Sequence, residues 1–283
     1  MKMKTNIRII IALAILGLNV ACQSEDLLSP SGGAPEGYEK VEFYAEVPGM
    51  EEVMTKAVDP DGAGVQQMTV FCFDQNSFFI TTVTAELAPD NGNPSLSGKF
   101  SVTVPDRTVT LQLVGNQNLT YFNEDNYRGM SEVDVMAALE SSPGRMIYWA
   151  RETVENLKTH TSPDNSIQLL RNQAKVTLKV ADGVNFEQQG WVVVNSNSFG
   201  TVAPYSPENG GFVAPTLDAP FITLPANNAK LGDYLDVRTN EEEYIFETEN
   251  TEADPIDFIV KGSQNGGESL YYRVSLIDEA GNN

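Results

Sequence analysis

This sequence predicts an all-β chain with one short helix, folded as antiparallel sandwiches or barrels. Three observations carry that prediction. Short runs of alternating apolar and polar residues recur between clusters of Gly, Pro, Asn and Asp. One stretch alone, Ser131–Glu140, combines a capping residue with an apolar stripe at helical spacing. Ser166–Val180 changes parity in mid-course: Ile167 and Leu169 are apolar at odd positions, and Ala174, Val176, Leu178 and Val180 at even ones. Strand side chains alternate faces with period two, so a parity change takes an extra residue, a bulge or a bend. The polar cluster Arg171-Asn172-Gln173 lies at that change. It reads as the crossing between two β domains, 38–166 and 167–283, or else as a bulge in one strand of a single sheet.

Met1–Ala21 reads as a signal peptide. Lys2, Lys4 and Arg8 precede the apolar run Ile9–Leu18, which is too short for a comfortable membrane span. Leu18-Asn19-Val20-Ala21-Cys22 resembles a bacterial lipobox, in which the cysteine becomes the lipidated, palmitate-bearing first residue of the mature chain. The usual pattern places Leu three residues before the cysteine; here Asn19 stands there. Cleavage without lipidation is the alternative. Gln23–Asp26 is acidic and resembles a surface-export tag, and Leu27–Gly37 reads as a flexible Pro/Gly/Ser linker, making 22–37 a tether.

Tyr38–Val47 is the first strand. Val41, Phe43, Ala45 and Val47 share one face, and Glu42, Tyr44 and Glu46 the other. Met50–Gly64 is then a polar loop containing Lys56, its only basic residue. Asp59 and Asp61 in that loop lack the later ligand positions of a calcium-binding loop, so they read as a turn. Further strands are expected at Met68–Asp74, Phe78–Leu87, Lys99–Val104 and Val109–Val114. Cys72 sits in a run apolar on both faces and reads as a buried small hydrophobe. In Ser131–Glu140, Ser131 caps and Asp134 holds the capping-box position, with Val135, Met136 and Leu139 facing the core. Met146–Trp149 is an apolar core patch. Beyond Val180, strands are expected at Trp191–Asn195, Phe221–Leu224, Glu243–Thr248, Asp257–Val260 and Leu270–Ile277, with Glu241–Glu243 as solvated loop.

Charge narrows the function classes. The chain has 283 residues, with 18 basic against 39 acidic, a net of -21. Lys2, Lys4 and Arg8 and no acidic residue precede Cys22, so a chain starting there carries 15 basic and 39 acidic residues, a net of -24. Such a chain repels phosphate backbones, and nucleic acid is excluded as a partner. No zinc-protease, nucleophile-elbow, phosphate-loop, dinucleotide or paired-cysteine motif is present, and His160 is the only histidine. Nothing in the sequence points to an enzyme, a cofactor or a metal site.

The order of the pieces carries a resemblance: a lipobox, an early alternating strand, a loop with one basic residue, FxFD, GNQN, MxYW, LLRNQAKVTLKV and YYRVSLID. Together they resemble the fimbrillin (type V pilin) family of Bacteroidales. The resemblance implies two tandem β-sandwich-like domains of Greek-key type and no enzymatic activity. It implies export as a lipoprotein to the outer membrane and assembly into surface fimbriae that support adhesion. Its implied partners are other fimbrial subunits, a maturation protease, the outer membrane through a lipid anchor, and a host or bacterial surface ligand. In this family a protease cuts the loop after the first strand, the strand leaves, and a strand of the next subunit fills the groove. Mapped here, Val41, Phe43, Ala45 and Val47 belong to the released strand and Lys56 marks the cut. The family's cut follows an arginine, and none lies between Cys22 and Arg107. An uncleaved, lipid-retaining anchor subunit is therefore an alternative. Family members usually continue past the YYRVSLID strand, so the sequence ending at Asn283 is expected to be a fragment. A second function class is a surface lipoprotein that binds glycans through loop aromatics, namely Tyr121, Phe122, Tyr127, Tyr205 and Phe212.

Overall fold

The computed structural model of the chain describes residues 34–47, 64–89, 97–141, 146–206, 209–213, 230–231, 243–246 and 255–275. The signal peptide, Cys22, most of the tether, Lys56 and the expected strand Phe221–Leu224 lie outside them.

Eight strands form one continuous sheet that doubles over itself. They are β1 (Tyr38–Glu46), β2 (Met68–Phe73), β3 (Phe79–Pro89), β4 (Ser97–Pro105), β5 (Thr110–Gly115), β6 (Tyr148–Thr153), β7 (Ile167–Gln168) and β8 (Leu170–Arg171), in the order β7-β1-β4-β3-β2-β5-β6-β8. Two strands turn the corners between layers. The first half of β3 pairs with β2 and its end, Glu86–Pro89, with β4. The stretch Ile167–Arg171 does the same on the other side: Ile167 and Gln168 lie against β1, and Leu170 and Arg171 against β6. Strands that switch layers are how two packed sheets close their corners.

The sequence pattern explains which layer is which. In β1 and β4 one face is apolar. Val41, Phe43, Ala45, Phe100, Val102 and Val104 point inward, and Phe43 stacks on Phe100 with ring centres 5.5 Å apart. In β2 and β5 every residue is buried, because both faces are covered. Val70, Cys72, Leu111 and Leu113 face β1 and β4, while Phe71, Phe73 and Val114 face the opposite way. That second side is covered by α1 (Glu132–Ala137), through Val135 and Met136, and by Phe122 of the preceding loop. Ser131 caps α1 as expected: its Oγ accepts from the Asp134 N–H, and the Ser131 hydroxyl donates to the Asp134 carboxylate. A second helix, α2 (Val154–Leu157), follows β6 directly and is capped by Thr153. It adds to the single helix expected; four residues are too few for a periodic signal.

The parity change at Arg171-Asn172-Gln173 is a corner fastened by a side chain. The Asn172 N–H donates to the Ile147 carbonyl, its Oδ1 accepts from the Ile147 N–H at 2.8 Å, and its Nδ2 donates to Ser141 Oγ at 2.6 Å. Past it, β9 (Ala174–Val176) leaves the large sheet and pairs with β15 (Glu243–Ile245). Glu243 opens β15, where the expected strand Glu243–Thr248 begins, and its carboxylate accepts from the Val193 N–H.

The remaining elements are smaller. β10 (Phe186–Val194), β16 (Asp257–Gln264) and β17 (Ser269–Ser275) form an antiparallel sheet in that order. Short pairs join β11 (Ser196–Asn197) to β14 (Lys230–Leu231) and β12 (Tyr205–Ser206) to β13 (Gly211–Phe212). Trp191, Val193, Ile256, Phe258 and Val260 make this region's core. Gly262 is there by necessity: a Cβ would lie 2.6 Å from the Glu187 carbonyl oxygen and overlap the Phe186 ring.

Candidate functional site: the first strand and its surroundings

β1 is the strand the sequence singles out, and its four marked residues are all in the core. Val41, Phe43, Ala45 and Val47 are at most 4% exposed. All nine β1 residues pair with β4, from Tyr38–Pro105 to Glu46–Ser97. The opposite edge is held differently. Only Ala45 and Glu46 pair with β7, in parallel, and the Tyr44 N–H donates to the His160 carbonyl at 2.8 Å. Among the described residues, one edge of the strand is thus a full ladder and the other a short clasp at its C-terminal end.

Charged side chains fasten β1 from outside. Lys99 donates to Glu42 at 2.5 Å, and Lys40 lies 3.4 Å from the same carboxylate. The hydrogen bond from Lys99 holds the Glu42 carboxyl below its usual range, and the same bond pushes the Lys99 ammonium up. Lys158, just past α2, reaches Glu39 at 2.7 Å and Glu155 at 2.8 Å; hydrogen bonds to those carboxylates raise its pKa. Gln168 donates to Glu46. These pairs are solvent-exposed, so each steers register more than it stabilises.

The segment leading into β2 is held at a fixed point, Gly64–Gln66. Asn116 sits at φ 62°, a left-handed conformation that Asn tolerates. Its Oδ1 accepts from the Gln66 N–H at 2.8 Å and its Nδ2 donates to the Gly64 carbonyl at 2.7 Å. The GNQN segment therefore anchors the chain where it enters β2. Cys72 behaves as expected of a buried hydrophobe: burial pushes its thiol up to about 12.

A buried polar network lies on the other side of β5. Glu132, 4% exposed, accepts from Gln112 at 2.8 Å and from Arg151 Nε and Nη2 at 2.8 and 3.0 Å. Trp149 Nε1 donates to Gln112 Oε1 at 2.5 Å. The hydrogen bond to Glu132 raises the Arg151 pKa, and the guanidinium also lies over the Phe212 ring, 5.9 Å from its centre. No local pattern in the sequence signals this network, because its members are scattered over four elements.

The loop aromatics expected to stack on sugars mostly pack on the protein. Phe122 and Tyr127 stack on each other with centres 4.4 Å apart, over the Phe71 cluster. The Tyr121 hydroxyl oxygen accepts from the Gln117 side-chain amide at 2.8 Å and from the Glu140 N–H at 2.7 Å. Tyr205 meets Phe212 edge to face. Phe212 also lines a cavity of about 460 Å³ beside β6 and β7.

No family model matches the chain. A curated relative, the major fimbrium tip subunit FimE of Porphyromonas gingivalis, is 22% identical over 224 residues. That match covers 76% of this chain and 39% of the relative, so the chain spans well under half the length of the curated relatives it matches. Among solved structures, the tip fimbrial protein Mfa3 of Porphyromonas gingivalis with C-terminal truncation superposes with a TM-score of 0.50 at 13% identity, covering 86% of this chain and 83% of that one. A fimbrial assembly protein from Parabacteroides distasonis scores 0.47 at 13% identity, covering 84% and 85%. In sequence and fold the chain is fimbrillin-like.

Proposed function

We propose that this fimbrillin-like chain is a structural subunit of cell-surface fimbriae, not an enzyme. It is exported as a lipoprotein through Cys22, carried on the outer membrane, and assembled with other fimbrial subunits by exchange of its first strand. A protease acting at Lys56 separates β1 from β2. Two domains, divided at the Ser166–Val180 stretch, make up the subunit.

The observation that carries this reading is the position of β1. Its apolar face fills the first core, while among the described residues one of its edges is clasped at the C-terminal end only. Burying Val41, Phe43, Ala45 and Val47 is worth on the order of 5–10 kcal/mol, comparable with the whole stability of a domain. The groove beneath β1 cannot therefore stand empty. Either β1 stays, or another alternating strand takes its place, forming the backbone bonds to β4 and filling the same four positions. Similarity to fimbrium tip subunits supports the same conclusion.

Intact mass and N-terminal sequencing of the protein recovered from its native outer membrane test it. A mature start inside 50–64, without lipid, is expected for a subunit that exchanges β1. A start at acylated Cys22 identifies an uncleaved anchor and ends the exchange reading for this chain.

A further inference from the structure

The corner strand Ile167–Arg171 leaves one rung of its ladder unmade, and a cavity sits in the gap. Register fixes the geometry. The Val154 N–H donates to the Val109 carbonyl and Ala150 pairs with Leu113, so the even residues of β6 bond to β5. Odd residues, Trp149 and Arg151, turn their backbone groups to the other edge. The Asn172 N–H donates to the Ile147 carbonyl there, and Leu170 pairs with Trp149. On the corner strand, the Leu169 N–H donates to the Glu46 carbonyl, so Ile167 and Leu169 serve β1 while Gln168 and Leu170 face β6. The next rung in this register would join Arg151 to Gln168. Pairing stops one rung short, at Trp149–Leu170, because the strand has already bent away to β1. The cavity of about 460 Å³ opens at that position.

Its walls are of two kinds. Phe212 and Leu170 give an apolar side. Glu152, His160, Ser166 and Gln168 give a polar side, together with the outward backbone of Arg151. His160 Nδ1 lies 3.1 Å from the Asn165 carbonyl, which can only accept, so Nδ1 carries the hydrogen. Nε2 is buried without a hydrogen-bond partner among the described residues. An orphan ring nitrogen of this kind calls for a hydrogen-bonding group from a ligand or water. Ser166 Oγ accepts weakly from Gln168 at 3.4 Å and keeps its hydroxyl hydrogen to give. Arg151, committed in a fork to Glu132, brings no free positive charge, and Glu152 adds a carboxylate. The cavity is therefore hostile to anions.

We propose that this cavity binds a neutral sugar residue. Sugar hydroxyls match a mixed ring of acceptors and donors, a C–H face matches the Phe212 side, and the volume lies within the range of small-molecule sites. The assignment goes beyond the assembly reading and does not depend on it: a subunit that enters fimbriae but binds no sugar leaves that reading whole and sinks this one.

Saturation-transfer NMR on the full chain, with the methyl glycosides of galactose and N-acetylglucosamine and with N-acetylneuraminic acid as the anionic probe, tests it. Saturable binding of at least one neutral glycoside is expected, with no binding of the anionic probe. Glu152→Ala and Ser166→Ala, at positions that leave the core untouched, are each expected to weaken binding at least tenfold with an unchanged melting temperature. Phe212→Leu, which keeps bulk and removes the ring, is expected to weaken it as well. Absence of saturable binding by both neutral glycosides overturns the proposal. So does equal binding by the wild type and the two alanine variants, which would place the sugar elsewhere, or preferential binding of the anionic probe.

Discussion

The two regions of this molecule solve the edge problem of β-sheets in opposite ways. The first, Tyr38–Arg171, closes on itself: β3 and the Ile167–Arg171 corner each serve two layers, so the large sheet ends in short two-residue strands laid against its own elements. Its central strands β2 and β5 are buried residue by residue. The second region has a three-stranded sheet in which β17 is an edge among the described residues, with Leu270, Tyr271 and Val274 about half exposed. Leu270 and Val274 lie in register with Gly262 and Phe258, on the face that carries the Trp191 core. The same alternating sequence logic thus gives a sealed sandwich in one place and a sheet with an apolar margin in the other. The lesson is that alternation fixes which face is inward, whereas closure depends on strands bent enough to serve two layers.

The largest effects should separate the two regions. Phe43→Ala empties a fully buried site stacked on Phe100, and Trp191→Ala empties the centre of the second core. Each is expected to cost about 3–5 kcal/mol. If the regions are separate folding units, calorimetry resolves two transitions, Phe43→Ala lowers only one and Trp191→Ala only the other. A single transition lowered equally by both would mean one cooperative unit and would remove the two-domain division.

Next comes the buried ion pair on the first region's outer face. Glu132→Ala strands the Arg151 guanidinium and the Gln112 amide together. A cost of about 3 kcal/mol is expected in urea unfolding, at the low end for a broken buried pair because Arg151 is partly exposed. The double variant Glu132→Ala/Arg151→Ala should recover part of that loss. If the double variant is as unstable as the sum of the singles, the pair is not coupled.

The corner itself should matter less than the cores but more than any surface pair. Asn172→Ala leaves the Ile147 N–H and Ser141 without their partner, for about 1–3 kcal/mol. In the second region Gly262→Ala forces Phe186 and the Glu187 backbone to shift, for a similar cost by overpacking. Asn172→Ala is expected to move only the first region's transition and Gly262→Ala only the second's. Crossed effects would show that the corner transmits strain between them.

Much of this was legible in the sequence, and the gaps have physical causes. β1 to β5 were readable because each alternates cleanly or is apolar throughout, and the turn residues between them are distinctive. The Ser131 cap was readable because capping is local. β6 was seen only as the apolar patch Met146–Trp149: Tyr148, Trp149 and Ala150 are all buried, so Tyr148-Trp149-Ala150-Arg151 shows no period, and Arg151, half-buried, is paired with Glu132, 19 residues away. The crossing at Arg171–Gln173 was visible as a parity change. That Ile167–Arg171 belongs to the large sheet was not, since nothing local states which strands a bend will meet. The cavity was invisible for the same reason: it is a missing rung, a property of two strands and not of either.

The smallest expected effect concerns pH and again touches only the first region. Burial alone would push the Glu124 carboxyl up, but the Thr82 N–H and hydroxyl and the Thr81 hydroxyl donate to it at 2.8–3.0 Å, and Arg128 adds charge. The balance holds its pKa below the ordinary value. A group depressed in the folded state stabilises fully above its unfolded pKa, and that contribution disappears as pH falls through the folded one. The window therefore lies below about pH 4.3, the ordinary glutamate value. Glu124→Gln should cost about 1 kcal/mol or less at pH 7, because the ion pair with Arg128 is largely open to solvent. The difference between variant and wild type should shrink as pH is lowered through that window, read from melting temperatures at matched ionic strength. A difference that stays constant down to pH 3 would mean that the carboxylate's charge does not contribute and that only the shape of the Thr81–Thr82 clasp does.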